Sequence, residues 1–274
     1  MSNQNDEENA RGGLDVIRQM ILEDPDFVHS KIRGYPMILH AVRTGEKGNY
    51  ELAQLLLEHG ADPNVSALNS TPMGSAAAAG QVEMVELLLR YHADINPTTG
   101  VTPLYLATLN KKHAVMKLLL ERGADPQNTT DENGLTAPAT AVMLNDTEAM
   151  DLLLRYSNVT ANDCVQYFSE IPLLSLAIRC GQQQMVRLLI QHGADVNKFH
   201  ESGVGGAEGS YPLHAAVFHG QLDILSILLK SGAKMDQKCR RGLTPFQQAC
   251  FRGDLDMIFV MMQASPPGRL EELN

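Results

Sequence analysis

The sequence has few basic residues for its number of acidic ones, no long apolar run and only four cysteines. Its 274 residues contain 22 lysines and arginines against 32 aspartates and glutamates, so the formal net charge is −10. This balance argues against nucleic acid and against an anionic membrane surface as partners, because both are polyanions. No apolar stretch reaches the roughly 18 residues of a membrane-spanning helix, and no charged-then-apolar leader opens the sequence. We therefore expect a soluble protein of the cytoplasm, with the nucleus as the alternative.

The cysteines and histidines form no recognisable metal or redox motif. Cys164, Cys180, Cys239 and Cys250 show no Cys-x-x-Cys spacing, so we predict free thiols in a reducing compartment. The nine histidines include no His-Glu-x-x-His motif, and the chain has neither Gly-x-Ser-x-Gly nor Gly-x-x-x-x-Gly-Lys. The sequence therefore predicts no metal site, no cofactor and no enzymatic activity.

One short phrase recurs along the chain and always follows a leucine-rich run. Successive copies of this phrase, Gly-Ala-Asp, begin 31 to 39 residues apart. The copies are Gly60-Ala-Asp62, His92-Ala-Asp94, Gly123-Ala-Asp125, the degenerate Ser157-Asn158, Gly193-Ala-Asp195 and Gly232-Ala-Lys234. A glycine in this place supplies the left-handed residue that commonly ends a helix. Each copy thus predicts the end of an apolar helix.

A second phrase runs in phase with the first and predicts where another helix begins. Its copies are Thr71-Pro-Met73, Thr102-Pro-Leu104, Tyr211-Pro-Leu-His214 and Thr244-Pro-Phe246. Threonine at the N-cap accepts a hydrogen bond from an exposed backbone N–H, and proline at the first helical position has no N–H to leave unpaired. Alanines follow the phrase, so this first helix can lie close to its neighbours. The second helix of each unit carries the larger apolar side chains at helical spacing.

These two phrases resemble the ankyrin repeat, whose period is about 33 residues and whose signature is Thr-Pro-Leu-His-x-Ala. The resemblance extends from about residue 14 to residue 263. It implies an all-α ankyrin-repeat solenoid of about seven helix-turn-helix units, with β-turn fingers between units and an N-terminal half-repeat cap. No single unit can bury its leucine face alone, so stacking of the units supplies the core. His214, at the signature histidine position, is expected to make structural hydrogen bonds between units.

The repeat phase divides the chain into a tail, a repeat domain and a second tail. Residues 1–13 are polar and acidic and are predicted to be disordered. The repeat domain is predicted for residues 14–264, and residues 265–274 form a C-terminal tail. Within the domain we predict a cap at 14–34 and repeats at about 35–65, 66–97, 98–130, 131–165, 166–197, 198–237 and 238–264.

Two segments depart from the repeat pattern. In the fourth repeat, Asn158-Val-Thr-Ala161 replaces the usual Ala-Asp-x-Asn, and a longer connection follows to about residue 169. A glycine-rich stretch, residues 198–209, lengthens one finger. Insertions of this kind fall on one face of a repeat array, often the binding face. They also allow an alternative function, in which an enzyme or a pathogen effector uses the array as a scaffold for a small site near 158–169 and 198–209.

The resemblance implies that a partner binds a concave groove, built from the fingers and from the outward residues of each first helix. The repeat phase gives the candidates Leu109, Met143, Leu144, Arg179, Phe218, His219, Phe251 and Arg252 on the helices, with Arg240 and Arg241 on a finger. Several of these residues are apolar, and contiguous exposed apolar surface usually marks an interaction site. The competing interpretation is that the apolar side chains fill the space between repeats and that the arginines are solvated.

Phe218 and Phe251 are one repeat apart in equivalent positions, and arginines flank them. Aromatic residues beside arginine are the composition of binding hot spots, and local positive charge favours an acidic partner. We therefore predict a non-enzymatic, monomeric protein–protein interaction module, an adaptor, scaffold or inhibitor, that binds an acidic and partly apolar segment of a protein or peptide.

Overall fold

The structure, a computed structural model, describes residues 2–43, 49–67, 70–98, 100–128, 135–165, 171–201 and 210–264. The chain divides into two compact units, Met1–Glu132 (unit 1) and Asn133–Asn274 (unit 2). Both units are built from pairs of antiparallel helices that stack side by side. This architecture confirms the predicted all-α solenoid of helix-turn-helix units.

Unit 1 begins with a helical cap and continues with three helix pairs. The cap consists of α1 (Ser2–Glu23), a 3-10 helix (Pro25–His29) and the antiparallel pair β1 (Lys31–Ile32) and β2 (Tyr35–Pro36). The helix pairs are α2 (Met37–Arg43) with α3 (Tyr50–Glu58), α4 (Pro72–Ala79) with α5 (Val82–Arg90), and α6 (Pro103–Leu109) with α7 (His113–Glu121). The first helices α2, α4 and α6 pack on one another in one layer, and the second helices α3, α5 and α7 pack in another.

Unit 2 repeats this arrangement with four helix pairs. They are α8 (Ala137–Met143) with α9 (Thr147–Tyr156), α10 (Leu173–Arg179) with α11 (Gln183–Gln191), α12 (Pro212–Phe218) with α13 (Leu222–Lys230), and α14 (Pro245–Arg252) with α15 (Leu255–Ala264). A short antiparallel pair, β3 (Cys164–Val165) and β4 (Ile171–Pro172), precedes α10. The first helices α8, α10, α12 and α14 again form one layer, and α9, α11, α13 and α15 form the other.

Threonine N-caps begin four of the first helices, as the second phrase predicts. The side-chain oxygens of Thr71, Thr102, Thr136 and Thr244 each accept a hydrogen bond from the backbone N–H three residues on. Thr136 caps α8 although the proline that follows it is displaced by one residue. Helix α10 has Pro172 at its N-cap and no side-chain cap. The weakened signature of the fourth repeat therefore still forms a capped helix.

The core lies between the two layers of each unit. One alanine in every first helix is completely buried, which lets neighbouring first helices approach closely: Ala41, Ala76, Ala107, Ala141, Ala177, Ala216 and Ala249. The second helices contribute the larger side chains, including Leu88 of α5 and Leu153 of α9, both fully buried. A dense interior of this kind is sensitive to the loss of even a few methylene groups.

Asparagine side chains join four of the described loops to the loop that follows. Asn96 donates from Nδ2 to the Gly123 carbonyl at 3.0 Å and accepts from the Asp125 N–H at 2.7 Å. Asn64 and Asn197 make the same pair of bonds to the loops that follow them. Where the fourth repeat has Ala161 in place of this asparagine, Asn162 makes both bonds one residue later. The irregular sequence at 158–161 therefore moves the asparagine by one residue, and its contact with the next loop is retained.

Isolated β-bridges close the bases of two of the predicted fingers. Ala67 and Ser70 form one isolated β-bridge, and His200 and Ser210 form another at the base of the glycine-rich loop. Residues 202–209 of that loop, residues 166–170 of the connection before α10, and the predicted C-terminal tail at 265–274 lie outside the described residues.

The N-terminus differs from the sequence-based expectation. The segment predicted to be disordered, residues 1–13, is helical from Ser2, because α1 extends through it to Glu23. Glutamate, alanine and arginine in this segment have high helix propensity, so a helix can continue there without an apolar face. The polar composition therefore did not indicate the absence of structure. Over the described part of the chain, no helix combines the length and the apolar content that crossing a bilayer requires.

His214 makes the hydrogen bond between repeats that its position predicts. Its Nε2 donates to the carbonyl oxygen of Leu243 at 2.9 Å, which ties α12 to the turn before α14. Its Nδ1 is buried and has no hydrogen-bond partner among the described residues. Burial lowers the pKa of His214 below its usual value, and the bond to the Leu243 carbonyl offsets part of that effect.

The core packing predicts the cost of removing a leucine from a second helix. Leu88→Ala should lower the free energy of unfolding by about 2–5 kcal/mol, because the side chain is fully buried and its loss leaves a cavity. Glu86→Ala, an exposed position of the same helix, is the matched control and should change it by less than about 0.5 kcal/mol. Urea denaturation measures both. A loss below about 1 kcal/mol for Leu88→Ala would contradict the packing.

The lowered pKa of His214 predicts that its contribution to stability depends on pH. Because the pKa in the folded protein lies below the usual 6.5, the unfolded chain binds the proton more readily as the pH falls. The contribution is therefore complete above pH 6.5 and is lost progressively below it. The difference in unfolding free energy between wild type and His214→Gln should shrink between about pH 7.5 and about pH 5. A difference that does not change with pH would show that the pKa of His214 is the same in the folded and unfolded states.

Candidate functional site

The first helices of unit 2 bring four of the predicted binding residues together. Arg179 is the last residue of α10, Phe218 is the last residue of α12, and His219 forms the C-cap of α12. Arg252 is the last residue of α14. Because α10, α12 and α14 are neighbours in one layer, their equivalent ends lie next to one another.

A hydrogen bond fixes the side chain of Arg252 across two repeats. Its Nη1 donates to the carbonyl oxygen of Phe218 at 2.9 Å. The rings of Phe218 and His219 meet edge to face with their centroids 5.1 Å apart. The guanidinium of one repeat is thus held against the helix end of the previous repeat, beside two rings.

Three basic side chains interact electrostatically at these helix ends. The pKa of His219 is lowered from its usual value, first by burial and then by the positive charges of Arg179 and Arg252. Both arginines must therefore lie close enough to disfavour a third positive charge. At neutral pH His219 is uncharged, with one ring nitrogen able to donate a hydrogen bond and the other able to accept one.

Phe251 is the most exposed large apolar residue of the described part of the chain, with 79% of its surface accessible. This exposure excludes the interpretation that Phe251 fills the space between repeats. Phe218 is partly buried, so packing accounts for some of its surface. We call the five residues Arg179, Phe218, His219, Phe251 and Arg252 the aromatic–basic surface.

The other predicted residues lie apart from this cluster. Met143, at the end of α8, is 54% exposed, and Leu144 after it is partly buried. Arg240 and Arg241 are exposed in the turn before α14, and no hydrogen bond within the described ranges joins them to the aromatic–basic surface. Leu109 ends α6 of unit 1 and is 44% exposed.

In the irregular segments near 158–169 and 198–209, the described side chains of Thr160, Asp163 and Lys198 make local hydrogen bonds. Thr160 Oγ1 donates to Asp163 Oδ1 at 2.6 Å, and the Leu173 N–H donates to the Asp163 carbonyl. Lys198 Nζ donates to the Asn162 carbonyl at 2.9 Å. These bonds shape the turns before α10 and α12. Among the residues that the structure describes, no group of three histidines, cysteines or acidic residues is placed to hold a metal ion.

Sequence reasoning missed a cleft in unit 1. It has a volume of about 600 Å³ and opens on the face formed by α2, α4 and α6. Its lining includes Tyr35, Arg43, Ser75, Ala78, Ala79 and Leu106. The signal is present in the sequence as the run Gly74 to Ala79, because small residues between the larger ones of neighbouring repeats leave space for a cleft. We call this feature the alanine cleft.

Comparison with known proteins agrees with the repeat architecture along nearly the whole chain. A family model described as "Ankyrin repeats (3 copies)" matches residues 10–99, 38–130 and 126–200. A second model, "Ankyrin repeats (many copies)", matches residues 173–229 and 213–261.

Among curated proteins, the chain is similar to the Ankyrin repeat and KH domain-containing protein mask-1 of Caenorhabditis elegans. The two are 29% identical over 284 residues, which covers 91% of this chain and 10% of that protein. The B-cell lymphoma 3 protein homolog of Mus musculus is 25% identical over 208 residues, covering 73% of this chain and 45% of that protein. The chain therefore spans a tenth of the first relative and less than half of the second.

Solved structures show the same fold. The ankyrin repeat domain of Bcl-3, a unique member of the IkappaB protein family, superposes with a TM-score of 0.68 at 26% identity, covering 82% of this chain and 97% of that one. The human ASB11 ankyrin repeat domain superposes with a TM-score of 0.60 at 23% identity, covering 84% and 98%. The chain belongs to the ankyrin repeat family, whose domains typically mediate protein–protein interaction.

Proposed function

We propose that the protein is a non-enzymatic interaction module that binds an acidic, partly apolar segment of another protein on its aromatic–basic surface. The observation that carries this proposal is Phe251, a phenylalanine with 79% of its surface exposed beside an arginine whose guanidinium is already fixed. A large exposed aromatic residue is unfavourable in water unless a partner covers it. A fixed arginine loses less side-chain entropy on binding than a mobile one.

The charges of the surface select the partner. The chain as a whole carries a net charge of −10, yet the positive charges of Arg179 and Arg252 both act on His219 at this face. Their field attracts carboxylates and raises the rate of encounter with an acidic segment. The neutral imidazole adds one hydrogen-bond donor and one acceptor for the backbone of that segment. Phe218 and Phe251 supply the apolar contacts, so the partner must carry apolar side chains among its acidic ones.

The remaining observations agree with an interaction role inside the cell. The four cysteines are all free thiols, which fits a reducing compartment such as the cytoplasm or the nucleus. Thr160, Asp163 and Lys198 of the irregular segments make hydrogen bonds that shape neighbouring turns, and no observation on the described residues favours an active site there. The overall acidic charge disfavours nucleic acid and anionic lipid as partners.

Selection of displayed peptides tests the chemistry of the partner. The wild-type protein is used to enrich a library of random peptides, and the most enriched peptide is synthesised with a fluorescent label. We expect enriched sequences that combine aspartate or glutamate with aliphatic or aromatic residues. Enrichment of basic peptides, or of peptides without apolar residues, would contradict the proposal.

Substitution of the two phenylalanines tests the location. Phe218→Ala together with Phe251→Ala should weaken binding of that peptide by roughly 30-fold or more, because truncation of a hot-spot residue costs at least about 2 kcal/mol. Fluorescence anisotropy measures the affinity, and circular dichroism verifies the fold. Phe259→Ala is the matched control, since Phe259 is 61% exposed in the same repeat but on the second helix α15. An affinity that falls with Phe259→Ala and not with the double variant would place the site elsewhere.

A further inference from the structure

The alanine cleft exists because repeat two carries small residues at the four positions that its neighbours fill. The four small residues of α4 are Gly74, Ser75, Ala78 and Ala79. The equivalent positions hold larger residues in repeat one, which are Leu39, His40, Arg43 and Thr44. In repeat three they hold Tyr105, Leu106, Leu109 and Asn110. The side chains of α2 and α6 therefore form walls on either side of α4. The result is a built cavity of about 600 Å³ with apolar and polar walls.

One wall of the alanine cleft presents a positive charge. The guanidinium of Arg43 lies over the ring of Tyr35, with its carbon 5.7 Å from the ring centroid. Such a cation–π contact positions the charge without using its N–H donors. Among the described residues, Arg43 has no hydrogen-bond or ion-pair partner, and none of those that line the cleft is acidic. Within the described structure, the cleft thus offers cationic donors in a chain of net negative charge.

The finger side of the alanine cleft adds a hydroxyl donor. Ser70 Oγ and Ser75 Oγ lie 2.7 Å apart, so one hydroxyl donates to the other. The proton of the second hydroxyl has no partner in the described structure and remains available to an acceptor. The lining also includes the apolar side chains of Ala78, Ala79 and Leu106. Hydrogen-bond donors together with apolar surface fit a ligand with both a carboxylate and an aliphatic group.

We propose that the alanine cleft is a second peptide-binding site, separate from the aromatic–basic surface. It takes an extended segment of a partner protein in which an aliphatic residue is followed by an aspartate or glutamate. The aliphatic side chain lies on Ala78, Ala79 and Leu106, and the carboxylate accepts hydrogen bonds from the guanidinium of Arg43. The cavity volume has room for roughly two or three residues of such a segment.

The exposure of the walls favours a peptide over a small molecule. Arg43 and Ala79 are exposed, and Tyr35, Ser75 and Ala78 are only partly buried. A small ligand is usually covered over most of its surface by its pocket, and this cleft is open along one side. An extended chain can place two or three residues in the cleft while its backbone continues out of both ends.

Titration of the isotope-labelled full chain with short peptides, followed by NMR, tests the proposal. The probe is Ac-Gly-Leu-Asp-Gly-NH2, for which we expect a Kd on the order of 1 mM and chemical-shift changes at the amides of Arg43 and α4. Replacing its aspartate by asparagine should weaken binding roughly tenfold, because the charge-assisted bond to Arg43 is lost. Replacing its leucine by alanine should also weaken binding. Sodium acetate serves as the carboxylate without a peptide.

Two substitutions in the cleft locate the binding. Arg43→Gln should weaken the aspartate peptide roughly tenfold and leave the asparagine peptide unchanged. Ala78→Leu should abolish binding by filling the cleft, and the fold should tolerate it because Leu109 occupies the equivalent place in α6. Arg122→Gln, an exposed arginine of the same unit outside the cleft, is the matched control and should have no effect.

Several outcomes would overturn the proposal. They are equal affinity for the aspartate and asparagine peptides, equal shifts with acetate alone, unchanged binding in Arg43→Gln, and absence of binding up to about 20 mM peptide. The variant with Phe218→Ala and Phe251→Ala should bind the probe like the wild type. A loss in that variant would mean that the probe occupies the aromatic–basic surface, so failure of this site and failure of the proposed function remain distinguishable.

Discussion

The structure depends on one constraint, which is that a single pair of short helices cannot bury its own leucine face. Each second helix has an apolar side that only a neighbouring repeat can cover, so burial of Leu88 or Leu153 is a property of the stack and not of one repeat. The buried alanine of every first helix belongs to the same constraint, because close approach of the first helices brings the leucines of the second helices into contact. The contacts that stabilise the fold are therefore concentrated at a few positions of the period.

The other positions of the period are free to vary, and the two candidate sites lie there. On the face formed by the first helices of each unit, the equivalent position carries a different residue in successive repeats: Arg43, Ala78, Leu109, Met143, Arg179, Phe218 and Phe251. Large side chains at these positions produce the aromatic–basic surface, whereas small ones between large neighbours produce the alanine cleft. Equivalent backbone positions thus carry the protruding side chains of the aromatic–basic surface in unit 2 and line the alanine cleft in unit 1.

The fold could be predicted from the sequence because its determinants are local and recur. Thr71 and Thr102 cap helices through bonds to residues three positions away, and His214 bonds to a turn that the repeat phase places next to it. The exposure of Phe251 was expected from its phase alone. The bond from Arg252 to the Phe218 carbonyl could not be predicted, because a long side chain at this position can equally extend into solvent.

The alanine cleft could not be predicted from any one helix, because it depends on the difference in side-chain size between α4 and its two neighbours, α2 and α6. The sequence also could not predict that Asn162 makes the contact one residue later, since only the loop conformation shows which side-chain amide reaches the next repeat.

The asparagine contacts between loops have a consequence for how such a chain can change in evolution. Within the described residues, the side chains of Asn64, Asn96, Asn162 and Asn197 bond to backbone atoms of the following loop, a carbonyl oxygen and an N–H. The bond of Asn197 is retained at 2.9 Å even though Lys234 stands where the other loops have aspartate. Because these hydrogen bonds depend on the backbone of the following loop and not on its side chains, they can form with any repeat that has the same loop conformation. Duplication, loss or exchange of a repeat can therefore leave the asparagine hydrogen bonds between loops intact, while all the binding-face residues of that repeat change together.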